Sequence, residues 1–79
     1  MKNRILITFY TTTQAMAMED CCRSEGVKGR LIPVPGKISA GCGVGWMTDR
    51  EEKARLLAFA ERKGLSFQEV YDLDGIFMR

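Results

Sequence analysis

The 79-residue sequence contains no histidine and only three cysteines. Histidine is the most frequent general base in enzymes and a frequent metal ligand. Its absence excludes a Ser-His-Asp triad, a Cys-His pair and any zinc site that uses histidine. The chemistry left to this chain is that of cysteine, of backbone binding sites, or of a domain that only binds other proteins.

Long apolar runs and dense positive charge are missing as well. No stretch approaches the ~18 apolar residues that a membrane-spanning helix needs. The 12 basic and 10 acidic side chains give a net charge of +2, and the basic residues are scattered singly along the chain. The sequence therefore predicts neither a nucleic-acid partner nor a membrane partner.

The cysteines are few, odd in number and unsuited to a disulfide scaffold. Cys21 and Cys22 are adjacent, and adjacent cysteines rarely bridge each other for geometric reasons. Disulfides are also rare where the compartment is reducing. We therefore expect free thiols and a cytoplasmic protein.

The residues that are present predict a single α+β domain over residues 1–79. Hydrophobic residues make up 46% of the chain, a globular value, although so short a chain has a thin core. Apolar and β-branched runs predict strands at 5–10, 30–34, 42–48 and 68–73. Periodicity and capping signals predict helices at about 14–25 and about 48–63, with Gly26 and Gly64 as their C-terminal caps.

The order of these elements, β-α-β-β-α-β, predicts a ferredoxin-like sandwich: a four-stranded antiparallel sheet with two helices on one face. Right-handed crossovers then place the third strand between the first and the second. Pro33 cannot donate to a ladder, which predicts that the second strand lies at an edge. Thr48 with Glu51, or Asp49 with Glu52, fits a capping box at the second helix.

Cys42 is the best candidate for a chemical site, because it ends the loop between the second and third strands. The predicted topology places that end near the start of the first helix. Helix N-termini carry about half a positive charge and unpaired N–H groups, which stabilise an anion. We therefore expect a lowered pKa for the Cys42 thiol, whose thiolate is the reactive form. The helix-start residues concerned are Thr11, Thr12 and Thr13.

Neighbouring residues in the loop support this hypothesis. Gly41 and Gly43 leave the sulfur approachable, and Lys37 adds positive charge. The alternative is that Cys42 is a small buried hydrophobe, since free cysteine is among the most buried residue types.

The other two cysteines have different predicted roles. Cys22 shares a helix face with apolar residues, so we interpret it as core, while the role of Cys21 stays open. A three-thiolate metal site with Cys42 is conceivable, but adjacent helical side chains diverge by ~100°. We therefore predict no metal site.

The segment Leu31–Pro35, with its Pro-x-Pro element, is followed by Ser39 and then by Gly41-Cys42-Gly43. In this pattern the chain resembles the small bacterial family of selenium/sulfur carrier-like proteins, whose Cys-Gly pair falls on Cys42 and Gly43. The resemblance covers most of the chain and extends to the opening strand and first helix. The positions that match there are Phe9, Tyr10, Thr13 and Ala15.

The resemblance implies a carrier that holds sulfur or selenium on Cys42 as Cys-S-SH or Cys-S-SeH. A donor protein would load the thiol and an acceptor protein would unload it. Such a protein is not a stand-alone catalyst and needs no cofactor, because its chemistry is thiol exchange and the partner supplies acid and base.

A second hypothesis is a non-catalytic module for protein binding or dimerisation. A four-stranded sheet with both helices on one face leaves the other face uncovered, and an apolar uncovered face can bind a partner. The residues expected on that face are Val44, Trp46 and Tyr71. A homodimer is compatible with either hypothesis, since small domains gain core by association.

Overall fold

The computed structural model describes residues 4–34 and 41–73, and its elements follow the predicted order. A short 3-10 helix (Arg50–Glu52) precedes the second α-helix. The strands and α-helices are β1 (Arg4–Thr8), α1 (Thr12–Glu25), β2 (Arg30–Pro33), β3 (Val44–Asp49), α2 (Lys53–Lys63) and β4 (Glu69–Asp72).

The four strands form one antiparallel sheet in the order β2-β3-β1-β4. The predicted position of β3 between β1 and β2 is confirmed, as is the edge position of the strand that contains Pro33. Both helices pack on the same face, where Met18 of α1 and Phe59 of α2 share one buried cluster with Trp46 of β3. The architecture is the predicted ferredoxin-like sandwich.

The sheet has an apolar layer on each face, because side chains alternate along a strand. Ile7 lies opposite Trp46 and Val70 in the ladder, and all three belong to the cluster beneath the helices. The next row, Leu6 with its neighbours on β3 and β4, faces the other way. That second cluster consists of buried Leu6 and Leu73 with the partly buried Ile32, Val34, Met47 and Tyr71.

This alternation corrects one prediction. Val44 and Trp46 do not lie on the face away from the helices, because both pack into the helix-side cluster. Only Tyr71 of the three expected residues lies on the opposite face. The alternation of side chains along β3 could be predicted from the sequence. The sequence did not indicate which face of the sheet the helices would cover.

The helix ends follow the predicted local rules. Thr11 is the N-cap of α1, and its side chain accepts a hydrogen bond from the N–H of Gln14. Gly26 and Gly64 are left-handed C-caps with φ of 75° and 71°. No helix in the described ranges is long and apolar enough to cross a membrane.

The capping box predicted for the second helix is wrong. Thr48 is buried in β3, and its hydroxyl donates to the carbonyl of Lys28 at 2.6 Å. Asp49 is the last residue of the same strand and pairs with Arg4 across the ladder, with 3.1 Å between Nε and Oδ1. Both side chains thus have tertiary partners, and the strand continues past the predicted helix start.

Candidate functional site

Cys42 lies in the bend that leads into β3. The strand begins at Val44, two residues later than predicted, so Cys42 and Gly43 precede it. The Cys42 side chain is half-buried against the helix-side cluster. Its thiol donates to the carbonyl of Val44, with 3.4 Å between sulfur and oxygen. Cys42 is therefore neither a core residue nor fully exposed.

Gly43 makes one side of this bend open. Its φ is +83°, and apart from its chain neighbours no heavy atom of the described residues lies within 4 Å of the position that a Cβ would occupy. Its carbonyl accepts a hydrogen bond from the N–H of Val34 at 2.9 Å. The backbone after Cys42 is thus anchored just after the end of β2, and no other described element packs against Gly43 at this position.

Gly41 places the bend against the start of α1. A Cβ on Gly41 would lie 3.0 Å from the carbonyl oxygen and 3.3 Å from the Cα of Tyr10. Tyr10 directly precedes the N-cap Thr11. The structure therefore brings the end of the loop to the beginning of the helix, as the topology predicted, through Gly41.

The threonines themselves make more limited contributions. Thr11 is engaged as the N-cap, while Thr12 and Thr13 are exposed in the first turn of α1. Among the hydrogen bonds of the described residues, none joins these threonines to Cys42. Lys37 lies outside the described residues. The supporting roles assigned to these four side chains stay predictions.

Gln68 is a residue of this site that the sequence did not reveal. Its side-chain carbonyl accepts a hydrogen bond from the backbone N–H of Gly41 at 3.2 Å. The backbone N–H of Gln68 donates to the backbone carbonyl of Thr8 at 2.7 Å. Gln68 thus ties the bend to the carboxyl end of β1. The Gln68–Gly41 contact spans 27 residues, so only strand order could have indicated it.

The two helical cysteines differ from Cys42. Cys22 is fully buried, which confirms its prediction as core, and burial together with the neighbouring Cys21 raises the pKa of its thiol to about 12. Cys21 is half-buried against the same cluster. All three thiols are free, and of the three only Cys42 lies outside a regular element.

The potential metal ligands are dispersed in the described part of the chain. No group of three or more histidine, cysteine or carboxylate side chains lies close enough there to hold a metal ion. What the bend offers is a half-buried thiol, followed by an uncrowded glycine and preceded by a glycine that lies against Tyr10, just before the N-cap of α1. This arrangement suits thiol exchange, in which a partner's sulfur must reach the thiol.

A family model relates this chain to known proteins. Neither the curated proteins nor the solved structures contain a significant match to the chain. A family model does match, over residues 4–72, which include the bend at Cys42 and all four strands. On that match, the chain belongs to the family described as "Putative Se/S carrier protein-like".

Proposed function

We propose that this protein carries sulfur or selenium on Cys42 and passes it to an acceptor protein. Family membership supports the class of cargo. The observation that carries the choice of residue is the position of Cys42, which is half-buried in a bend outside the regular elements and is followed by the uncrowded Gly43. Cys22 is unsuited to the role, because its buried thiol has a pKa of about 12.

Loading is a thiol-persulfide exchange. The Cys42 thiolate attacks the outer sulfur of a donor persulfide, a new S–S bond forms on Cys42, and the donor S–S bond breaks. The donor leaves as a thiolate, so no external oxidant or reductant is needed. With a donor that holds selenium as S-SeH, the same step transfers selenium.

Unloading repeats the exchange in the other direction. An acceptor thiolate attacks the outer atom, and Cys42 leaves as a thiolate. Gln68 and the contact of Gly41 with Tyr10 hold the bend beside the start of α1 while this exchange takes place. Donor and acceptor supply the acid and base, and the reducing cytoplasm keeps the thiol available between cycles.

A transfer assay tests the proposal. The reduced protein is loaded with a low-molecular-weight persulfide, freed of excess reagent and mixed with an acceptor thiol. We expect transfer by the wild type and loss of transfer in Cys42→Ser. Cys21→Ser, which changes another half-buried thiol, is the matched control and should transfer normally. Equal transfer by Cys42→Ser and the wild type would refute the proposal.

A second candidate function is binding of a partner, or of a second copy, through the sheet face away from the helices. It is favoured by four partly buried apolar side chains gathered there, Ile32, Val34, Met47 and Tyr71. A binding module would keep its self-association or partner in Cys42→Ser and lose it in Tyr71→Glu. Sedimentation velocity of both variants distinguishes this function from the carrier.

A further inference from the structure

A second feature of the molecule is a groove of about 490 Å³ at the end of the sheet where β1 and β2 begin and β3 ends. Its lining includes Arg4, Lys28, Arg30 and Asp49. The bend at Cys42 precedes β3 and the groove lies at the other end of this strand, and the five steps from Val44 to Asp49 span roughly 16 Å at about 3.3 Å per residue. The groove is therefore separate from the thiol site.

The groove gathers positive charge that is dispersed in the sequence. Three cations line it against the single carboxylate of Asp49, which pairs with Arg4. Lys28 and Arg30 are exposed, and no carboxylate of residues 4–34 and 41–73 forms an ion pair with either of them. The local excess is two positive charges, as large as the net charge of +2 of the whole chain.

The backbone that presents these cations is held against β3. The carbonyl of Lys28 accepts the buried hydroxyl of Thr48 at 2.6 Å. At Gly29, φ is +144°, and a Cβ would lie 2.5 Å from the carbonyl oxygen of Met47 and 2.8 Å from two ring carbons of Trp46. The backbone at Gly29 thus packs closely against the indole and β3, so the backbone positions of Lys28 and Arg30 are fixed before a ligand binds.

An additional donor lies under the same segment. The indole Nε1 of Trp46 is buried and has no acceptor within the described residues, which is uncommon for a buried polar group. It is bonded to Cε2, one of the ring carbons beneath Gly29. A smaller cavity of about 180 Å³ beside Trp46 shares Lys28 and Gly29 with the main groove. The carboxylate of Glu19 also lines that smaller cavity, whereas in the main groove the charged side chains without an ion-pair partner among the described residues are Lys28 and Arg30.

We propose that this groove binds the phosphate group of a small molecule. Two uncompensated positive charges match a dianion, and a guanidinium such as that of Arg30 binds phosphate oxygens in a bidentate manner. The groove volume lies in the range of small-molecule sites, roughly 300–1,000 Å³. Free phosphate and a phosphate monoester share this chemistry, and the experiment separates them.

The experiment is an amide NMR titration of the full chain at constant ionic strength, first with inorganic phosphate and then with glycerol phosphate. We expect saturable shifts of the Lys28, Gly29 and Thr48 amides and of the Trp46 indole N–H. Tighter binding of the ester identifies a phosphorylated small molecule as the ligand. Equal or weaker binding of the ester identifies free phosphate and overturns the small-molecule assignment.

Matched surface variants complete the test. Arg30→Gln should weaken binding about fivefold, because it removes one exposed charged contact, whereas Lys53→Gln on α2 should leave it unchanged. Cys42→Ser should also leave it unchanged, which separates this site from the thiol. Shifts that do not saturate, or that are the same in Arg30→Gln and the wild type, would overturn the proposal.

Discussion

The burial of Cys22 predicts that its thiol resists alkylation while Cys42 reacts. With a pKa of about 12, Cys22 is ionised to only about one part in 10⁴ at about pH 8, whereas an ordinary thiol of pKa about 8.5 is ionised to about a quarter. The thiolate is the reacting form. Ionisation alone therefore slows Cys22 by about three orders of magnitude, and its complete burial adds the requirement for local opening.

Timed iodoacetamide labelling at about pH 8, followed by peptide mapping, measures this difference. The native protein should gain label at Cys42 first and at Cys22 last. In denaturant the same residues should react at similar rates, which controls for the intrinsic reactivity of each thiol. A native rate for Cys22 within tenfold of that for Cys42 would refute the reasoning about burial.

Two further predictions concern stability. The pKa of Cys22 rises from 9.0 to about 12 on folding, so the unfolded chain loses this proton at a lower pH than the folded chain. The free energy of unfolding therefore falls by about 1.4 kcal/mol per pH unit between these two values. Below pH 9.0 the thiol is protonated in both states and has no effect on stability. Urea unfolding from about pH 8 to 10 should show a shallower alkaline decline in Cys22→Ala, and equal slopes would contradict the assignment. Gly29→Ala should lower the free energy of unfolding by about 2–5 kcal/mol, because the new Cβ would collide with Trp46 and Met47 and the backbone would be strained at φ +144°. At Gly64, φ is +71° and no described atom beyond its immediate chain neighbours lies within 4 Å of a Cβ, so Gly64→Ala should lower the free energy of unfolding by about 1–2 kcal/mol. Similar losses in both variants would show that the collision is unimportant.

Much of the fold could be predicted because its signals are local. The apolar β-branched run at Ile5–Ile7 specifies a buried strand, and Gly26 and Gly64 specify helix ends, without reference to distant residues. The order of these elements then leaves one favourable sheet arrangement. The capping box predicted at Thr48 and Asp49 failed for the opposite reason. Their side chains contact Lys28 and Arg4, which are far away in sequence.

The candidate site was only partly predictable for the same physical reason. Glycines on both sides of a cysteine are visible in the sequence, and so is the loop that contains them. The hydrogen bond from Gly41 to Gln68 depends on strand order. The groove lined by cations depends on it too, because Arg4 lies near Lys28 and Arg30 only once β1 and β2 flank β3.

The most direct test of the carrier function is the mass of the protein after exposure to a persulfide donor and removal of the donor without reductant. The account predicts a gain of about 32 Da for sulfur, or about 80 Da with a selenium donor, that a thiol reductant reverses and that maps to Cys42. The gain should be absent in Cys42→Ser and present in Cys21→Ser. A reversible adduct that maps to Cys21, or that persists in Cys42→Ser, would contradict the account.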